Sequence, residues 1–466
     1  MSEPGFLGLA EAGALLRQRK LSPVELTEAL LARIERLDGT FHAFIKLTPE
    51  AALAAARAAE AEIAAGRWRG PLHGIPYALK DIIDVAGLPT TAHSKLLVAN
   101  IAAADAPVAA RLKAAGGVLL GKLSTHEFAI GGPSFDLPWP PARNPWNPDY
   151  FPGGSSSGSG AGLAAGLFPA ALGTDTGGSI RNPAAQCGIT GLKPTYGRVS
   201  RRGVLPLAFS LDHVGPMTRT VRDNALLLQA IAGHDPFDPA SADEPVPDYA
   251  QSLGQGVKGL RIGVIRHFYT TDLEADGEMV AAIEAAARLF AEAGAEVRET
   301  RLPPLQDFSA CGQIIMLAEA YAVHERWLKQ RPQDYGARGR ERLLAGAGLS
   351  AADYLQAVRW RLALRDRAAA AFREIDLALT VSSHDPACRI DDDAALAATY
   401  ARQARMPFNV TGQPALVIPA GFAKSGLPLS LQLVGHPFAE ATLYRAADAY
   451  EEATGWTRRR PPGLAG

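Results

Sequence analysis

Apolar positions follow two patterns along this chain, helical spacing in some segments and short unbroken runs in others. Val24, Leu30, Leu31, Ile34 and Leu37 fall at helical spacing. Ser22 precedes them as an N-cap, Pro23 takes the first helical position and Glu25 completes a capping box. An Ala-rich helix is predicted over 49–65, stopped by Gly66. Ile75-Pro76-Tyr77-Ala78-Leu79 reads as a short buried strand that delivers Lys80 and Asp81. Residues 107–115 pattern as helix and Gly117-Val118-Leu119-Leu120-Gly121 as a buried strand. A small-residue helix near 159–167 and a strand near 168–173 follow. Residues 260–265, a helix near 278–293 and residues 295–298 form a second β–α–β pattern. Residues 310–372 are strongly helical, and 375–382, 415–420 and 430–435 supply late strands.

Strands alternate with helices from end to end, which argues an α/β fold with a largely buried sheet. No internal repeat or linker divides the chain, so residues 1–466 are expected to form a single domain. From Gly131 to Gly160 the chain reads as loop, yet Phe135, Trp139, Trp146, Tyr150 and Phe151 offer it large surfaces to bury. A long loop with that many anchors is more often functional than idle.

Composition excludes several classes. The 466 residues are 47% hydrophobic and 20% charged, enough for a large core. Lys plus Arg number 47 against 48 Asp plus Glu, a net charge of −1 with no pull toward nucleic acid. Arg458-Arg459-Arg460 reads as a solvated tail. Cys187, Cys311 and Cys388 fit neither a disulfide framework nor a zinc pattern, which suits a reducing cytoplasm. Glu11 interrupts the N-terminal apolar stretch, against a signal peptide, and no apolar run reaches membrane-span length.

The chemistry concentrates in two loops. Gly153-Gly154-Ser155-Ser156-Ser157-Gly158-Ser159-Gly160 and Gly173-Thr174-Asp175-Thr176-Gly177-Gly178-Ser179-Ile180-Arg181 flank one apolar segment. Glycine lets backbone N–H groups approach a ligand closely, and a serine beside them can attack a carbonyl while they hold the oxyanion. A flexible linker has similar composition, but a linker is not followed at once by Ala161-Gly162-Leu163-Ala164-Ala165-Gly166-Leu167-Phe168, which asks for burial.

Other motifs lack their context. Gly154-Ser155-Ser156-Ser157-Gly158 satisfies G-x-S-x-G, but three prolines among residues 144–152 rule out the preceding strand a nucleophile elbow needs. Residues 160–165 mimic a dinucleotide fingerprint with the same defect. His126-Glu127 and His324-Glu325 begin H-E-x-x-H, yet Ile130 and Leu328 hold the last position, so no metal site is expected. No S-x-x-K tetrad occurs. Lys80 alone would read as half of a surface Lys–Asp pair; beside two serine loops, a lysine taken out of water becomes a candidate base.

These three segments together, Leu72-His73-Gly74-Ile75-Pro76 through Lys80-Asp81, then Gly153-Gly154-Ser155-Ser156, then 173–181, resemble the amidase signature family. The two key serines stand 24 positions apart, as in that family. The likeness covers nearly the whole chain, with a core near 70–215 and a helical substrate cap near 305–372. It implies a mixed β-sheet sandwiched between helices on both faces. It also implies Ser179 as nucleophile, Ser155 as bridging serine on a cis peptide bond from Gly154, and Lys80 as terminal base. Backbone N–H groups of Thr176, Gly177, Gly178 and Ser179 would form the oxyanion hole. Gly154, Ser156, Asp175 and Arg181 would support the loops, and Cys187 reads as a core thiol.

The resemblance implies hydrolysis of a small carboxamide, without cofactor, metal, membrane or nucleic acid, by a chain free to form a homodimer. The alternative is the glutaminase component of a tRNA-dependent amidotransferase, its A subunit. Such subunits usually carry an acid for the glutamine amine before a late Pro-x-Asn segment. Here Tyr400-Ala401-Arg402-Gln403-Ala404-Arg405-Met406-Pro407-Phe408-Asn409 has none. The pocket is expected to be lined by the aromatic loop near 135–151, the helices of 310–372 and a polar loop near 383–390 holding His384, Asp385 and Arg389.

Overall fold

A computed structural model describes residues 3–464 and builds them around one sheet of 11 strands. In chain order these are β1 Phe44–Leu47, β2 Pro76–Lys80, β3 Val118–Leu123, β4 Ala170–Asp175, β5 Thr190–Lys193 and β6 His213–Thr218. They continue with β7 Arg261–Val264, β8 Glu296–Glu299, β9 Leu377–Thr380, β10 Ala415–Phe422 and β11 Pro428–Gly435. Across the sheet the order is β1-β3-β2-β4-β6-β5-β10-β11-β9-β7-β8. β2 lies parallel between β3 and β4, whereas β4 meets β6 antiparallel, so the sheet is mixed. Every residue of β2, β4, β6 and β11 is buried. Because alternate side chains point to opposite faces, both faces must be covered. The edge strands β1 and β8 are partly exposed.

Local signals set the helix starts. Ser22 Oγ accepts from the Val24 N–H at 2.9 Å and the Glu25 carboxylate accepts from the Ser22 N–H at 3.1 Å, opening the helix Pro23–Phe41. Its buried stripe is Leu26, Leu30 and Ile34. Val24, Leu31 and Leu37 are only partly buried, because the stripe centres one residue away from the pattern they define. Helices Pro49–Ala64, Ser157–Ala164 and Gly277–Glu292 follow the sequence expectation to within a few residues.

Among the described residues two large apolar cores result, beside a small cluster of Phe151, Ile390 and Leu396. One runs from Leu30 through Phe168 and Leu172 to Val417 and Tyr444. The second, with Phe308, Ile315, Leu364, Phe372 and Phe408, fastens the helices Leu305–Gln330 and Ala351–Phe372 to the body. The basic C-terminal cluster is a correction. Arg459 stacks 4.1 Å over Phe422 and Arg460 4.4 Å over Phe6, so cation–π contacts hold what composition assigned to a solvated tail.

Gly162 faces the ring of buried Phe168 so closely that an added Cβ would lie 2.2 Å from its Cζ. Gly162→Ala is expected to destabilise the fold by about 1–3 kcal/mol through overpacking, read as a lower midpoint of chemical unfolding.

Candidate active site

Lys80 ends β2, whose parallel register with β4 sets Leu79 opposite Leu172. That pairing carries Lys80 Nζ to 2.8 Å from Thr174 Oγ1 and 2.7 Å from Ser155 Oγ. Lys80 is fully buried. Burial lowers its pKa to about 7, against the weaker opposing pull of Asp175 and Asp212. Asp81, the next residue, turns away and forms an ion pair with Lys122 at 2.9 Å. The adjacent Lys–Asp residues are therefore not a pair.

The first serine loop is clamped from two sides. The Gly154–Ser155 peptide bond is cis. The Ser155 carbonyl accepts from the His126 N–H at 3.1 Å and the Ser157 N–H at 2.8 Å. Gly154 lies so near the His126 ring that a Cβ would fall 2.0 Å from Cε1. Ser156 is fully buried, its Oγ accepting from the Thr174 N–H at 3.2 Å and donating to the Thr174 carbonyl at 3.3 Å. No strand precedes this loop, so the G-x-S-x-G match is no nucleophile elbow.

The second loop is wound around Asp175. Its carboxylate accepts from the N–H groups of Gly178 at 2.8 Å and Ile180 at 3.2 Å, from Asn409 Nδ2 at 2.9 Å, and from the Arg181 guanidinium at 2.9 and 3.0 Å. The Arg181 charge and these donors outweigh desolvation and hold Asp175 well below the usual carboxylate range. Arg181 further donates to Asn409 Oδ1 at 2.6 Å, Gln432 Oε1 at 2.8 Å and the Arg405 carbonyl at 2.9 Å. Gly178 has φ +126°, a conformation that favours glycine. The Thr176 hydroxyl donates to Asp212 at 2.6 Å, and burial pushes Asp212 up to about 6.

Of the four backbone N–H groups expected to face a ligand, that of Gly178 is already given to Asp175. Those of Thr176, Gly177 and Ser179 donate to no described residue. Nor does the Ser179 hydroxyl bond to a described residue, and Ser179 is only half-buried.

Ser155, Ser179 and the 176–178 backbone line one cavity of about 580 Å³. Gln313 and Met316 of Leu305–Gln330, Arg338 and Arg342 of Ala337–Leu344, and Tyr400, Arg405 and Met406 form its other walls. A neighbouring cavity of about 750 Å³ begins beyond Thr176 and Asp212. The helical region thus lies over the serines, but the other two expected walls do not. Phe135 is 54% exposed under Arg143, and Trp146 donates to the Cys187 carbonyl at 2.8 Å. His384 is buried against the Phe268 carbonyl at 2.9 Å, Asp385 pairs with Arg402, and Arg389 pairs with Asp391 at 2.8 Å. Each of these polar groups is spent elsewhere. Cys187 is buried, and burial alone raises its thiol pKa.

Sequence reasoning missed Thr174, His126, Asp212 and Asn409. Thr174 was recoverable, since strand pairing of the Lys80 and Thr174 runs brings their ends together. His126 and Asn409 lie in segments read for other motifs, and no local signal tied them or Asp212 to the serine loops. Among the described residues, no three His, Cys, Asp or Glu side chains are grouped so as to hold a metal ion. No helix there is long and apolar enough to cross a membrane.

In this α/β fold a mixed sheet brings a buried lysine to one serine loop and sets a second serine loop on the same cavity. The chain matches the Amidase family over residues 25–444 and belongs to that family. It is 42% identical to the A subunit of the glutamyl-tRNA(Gln) amidotransferase of Moorella thermoacetica, over 98% of each chain. The peptide amidase of Stenotrophomonas maltophilia superposes with a TM-score of 0.86 at 34% identity, over 99% of each chain. A bacterial aryl acylamidase of the amidase signature family gives 0.88 at 28% identity, over 97% of each chain.

Asp175→Asn breaks a fully buried ion pair and leaves Arg181 uncompensated. The expected cost is about 3–5 kcal/mol, measured as loss of unfolding free energy in denaturant.

Proposed function

We propose that this chain hydrolyses a carboxamide to a carboxylate and ammonia or an amine through a seryl acyl-enzyme, with Ser179 as nucleophile, Ser155 as proton bridge and Lys80 as base. The observation that carries this reading is the buried Lys80 amine, 2.7 Å from Ser155 Oγ and 2.8 Å from Thr174 Oγ1. A neutral amine there donates to Thr174 and accepts the Ser155 proton. Ser155 then takes the Ser179 proton as Ser179 Oγ attacks the carbonyl. The N–H groups of Thr176, Gly177 and Ser179 hold the oxyanion, each contributing about 3–4 kcal/mol of barrier reduction. Gly178 serves by turning the chain while its own N–H anchors to Asp175. The proton returns through Ser155 to the leaving nitrogen, and water cleaves the acyl-enzyme by the same route. His126, Asp175 and Arg181 position these loops. Three unpaired thiols suit a cytoplasmic enzyme.

The amidotransferase relatives favour a second reading, a glutaminase that feeds ammonia to a partner. Against it, segment 400–409 offers the pocket no acid for an α-ammonium group, and its Arg402 is paired with Asp385. Ammonia release from small amides by the isolated chain supports the first reading. Release from glutamine, only with a partner protein present, supports the second.

Ser179→Ala and Lys80→Ala are each expected to lower kcat about 10⁴-fold or more while circular dichroism stays unchanged; full turnover by Ser179→Ala would remove it as nucleophile. Protonation of Lys80 removes the base, so kcat/KM should fall with slope one below about pH 7 and level off above it. A flat profile from pH 5 to 9 would exclude Lys80 from the rate-limiting proton transfer.

A further inference from the structure

Several polar side chains in the wall of the serine cavity are already engaged. Arg338 pairs with Asp393, Arg342 donates to Gln313, and Arg405 donates to the Ser382 carbonyl and to Ser383 Oγ. Tyr400 differs. It stands on the helix Asp393–Ala401 and lines the cavity at 36% exposure. Among the described residues its hydroxyl meets one hydrogen-bonding group, His126 Nδ1 at 3.4 Å.

His126 fixes where that hydroxyl stands. Its ring is buried, stacked 5.9 Å from Phe151 and set edge-on 6.3 Å from Tyr400. The opposite edge of the ring packs on Gly154, and the His126 N–H is committed to the Ser155 carbonyl. Burial and the nearby Lys80 charge hold the imidazole well below its ordinary pKa, so it is neutral. A phenol oxygen has two lone pairs, and in either neutral tautomer of His126 at least one of those on Tyr400 stays unused. That free acceptor lies one imidazole ring away from the Gly154–Ser155 peptide. In the reaction above, Ser155 hands the proton to the leaving nitrogen, so the acceptor stands on the leaving-group side.

We propose that Tyr400 Oη accepts a hydrogen bond from an N–H of the leaving group and so turns the nitrogen lone pair toward Ser155. The preferred substrates are then primary and N-monosubstituted amides. Esters and N,N-disubstituted amides offer no such N–H. This inference rests on the amidase reading of the cavity. The competing role is structural, with the Tyr400 ring only packing on Phe151 and His126.

The test compares kcat/KM for butyramide with that for methyl butyrate, which gives the same acyl-enzyme but has no N–H on its leaving group. Tyr400→Phe keeps the ring and removes the hydroxyl. It should lower the amide-to-ester ratio about 10-fold, the scale of one hydrogen bond. A ratio unchanged from the wild-type protein, whether both substrates slow equally or neither does, overturns the proposal. Independently of turnover, excess butyramide should raise the melting temperature of Ser179→Ala protein more than that of the Ser179→Ala/Tyr400→Phe double variant. Methyl butyrate should shift the two equally. Where the protein turns over either substrate, the ratio decides; where it turns over neither, binding does. Tyr400-dependent butyramide binding without hydrolysis would sustain this inference and sink the amidase reading. Hydrolysis of butyramide with an unchanged ratio would do the reverse, and neither binding nor hydrolysis would sink both.

Discussion

The exclusion of water and of carboxylates from one primary amine governs the rest of this site. Lys80 ends a fully buried strand between two others, so its amine meets hydroxyls and no anion within ion-pair reach. Desolvation is then unopposed at short range, and the amine approaches neutrality near pH 7. Three carboxylates that could reverse this are diverted, Asp212 to the Thr176 hydroxyl and the other two to cations. Asp81 is held by Lys122 on the opposite face of β2, and Asp175 by Arg181. Had either faced Lys80 directly, the attraction would have restored a permanent ammonium, useless as a base.

The Asp175–Arg181 pair does a second task. Asp175 ends β4, Gln432 belongs to β11 and Asn409 to the short helix Met406–Thr411, yet all three meet the Arg181 guanidinium. The loop that carries Ser179 is therefore tied to elements more than 220 positions away in the chain. Its shape depends on closure of the whole sheet, which explains why a bulky residue is excluded where Gly178 touches Arg405 and where Gly154 touches His126.

The sheet and the two loops lie within the span that matches the Amidase family, and so do the cavity walls. Its members include a peptide amidase, an aryl acylamidase and a component of an amidotransferase, all of them similar to this chain over nearly its whole length. In this protein those walls come from Leu305–Gln330, Ala337–Leu344 and residues 393–406. Arg405 is buried where the wall meets the second serine loop, packed against Gly178.

Periodicity and capping residues by themselves determined the alternation of strands and helices, because those signals are local: Ser22 and Glu25 cap their own helix, and the run before Lys80 is apolar enough to be a buried strand. Three spaced motifs likewise put forward Lys80, Ser155 and Ser179 as candidates, since glycine-rich backbone and hydroxyls are chemical features visible in one dimension. Partnership was not visible there. That Lys80 faces Thr174 instead of Asp81, that Asp175 consumes the Gly178 N–H, and that Phe135 and His384 lie outside the cavity were decided by strand register and by which buried charges found counter-charges. Those choices are made between residues far apart in the chain, so only the closed tertiary structure could settle them.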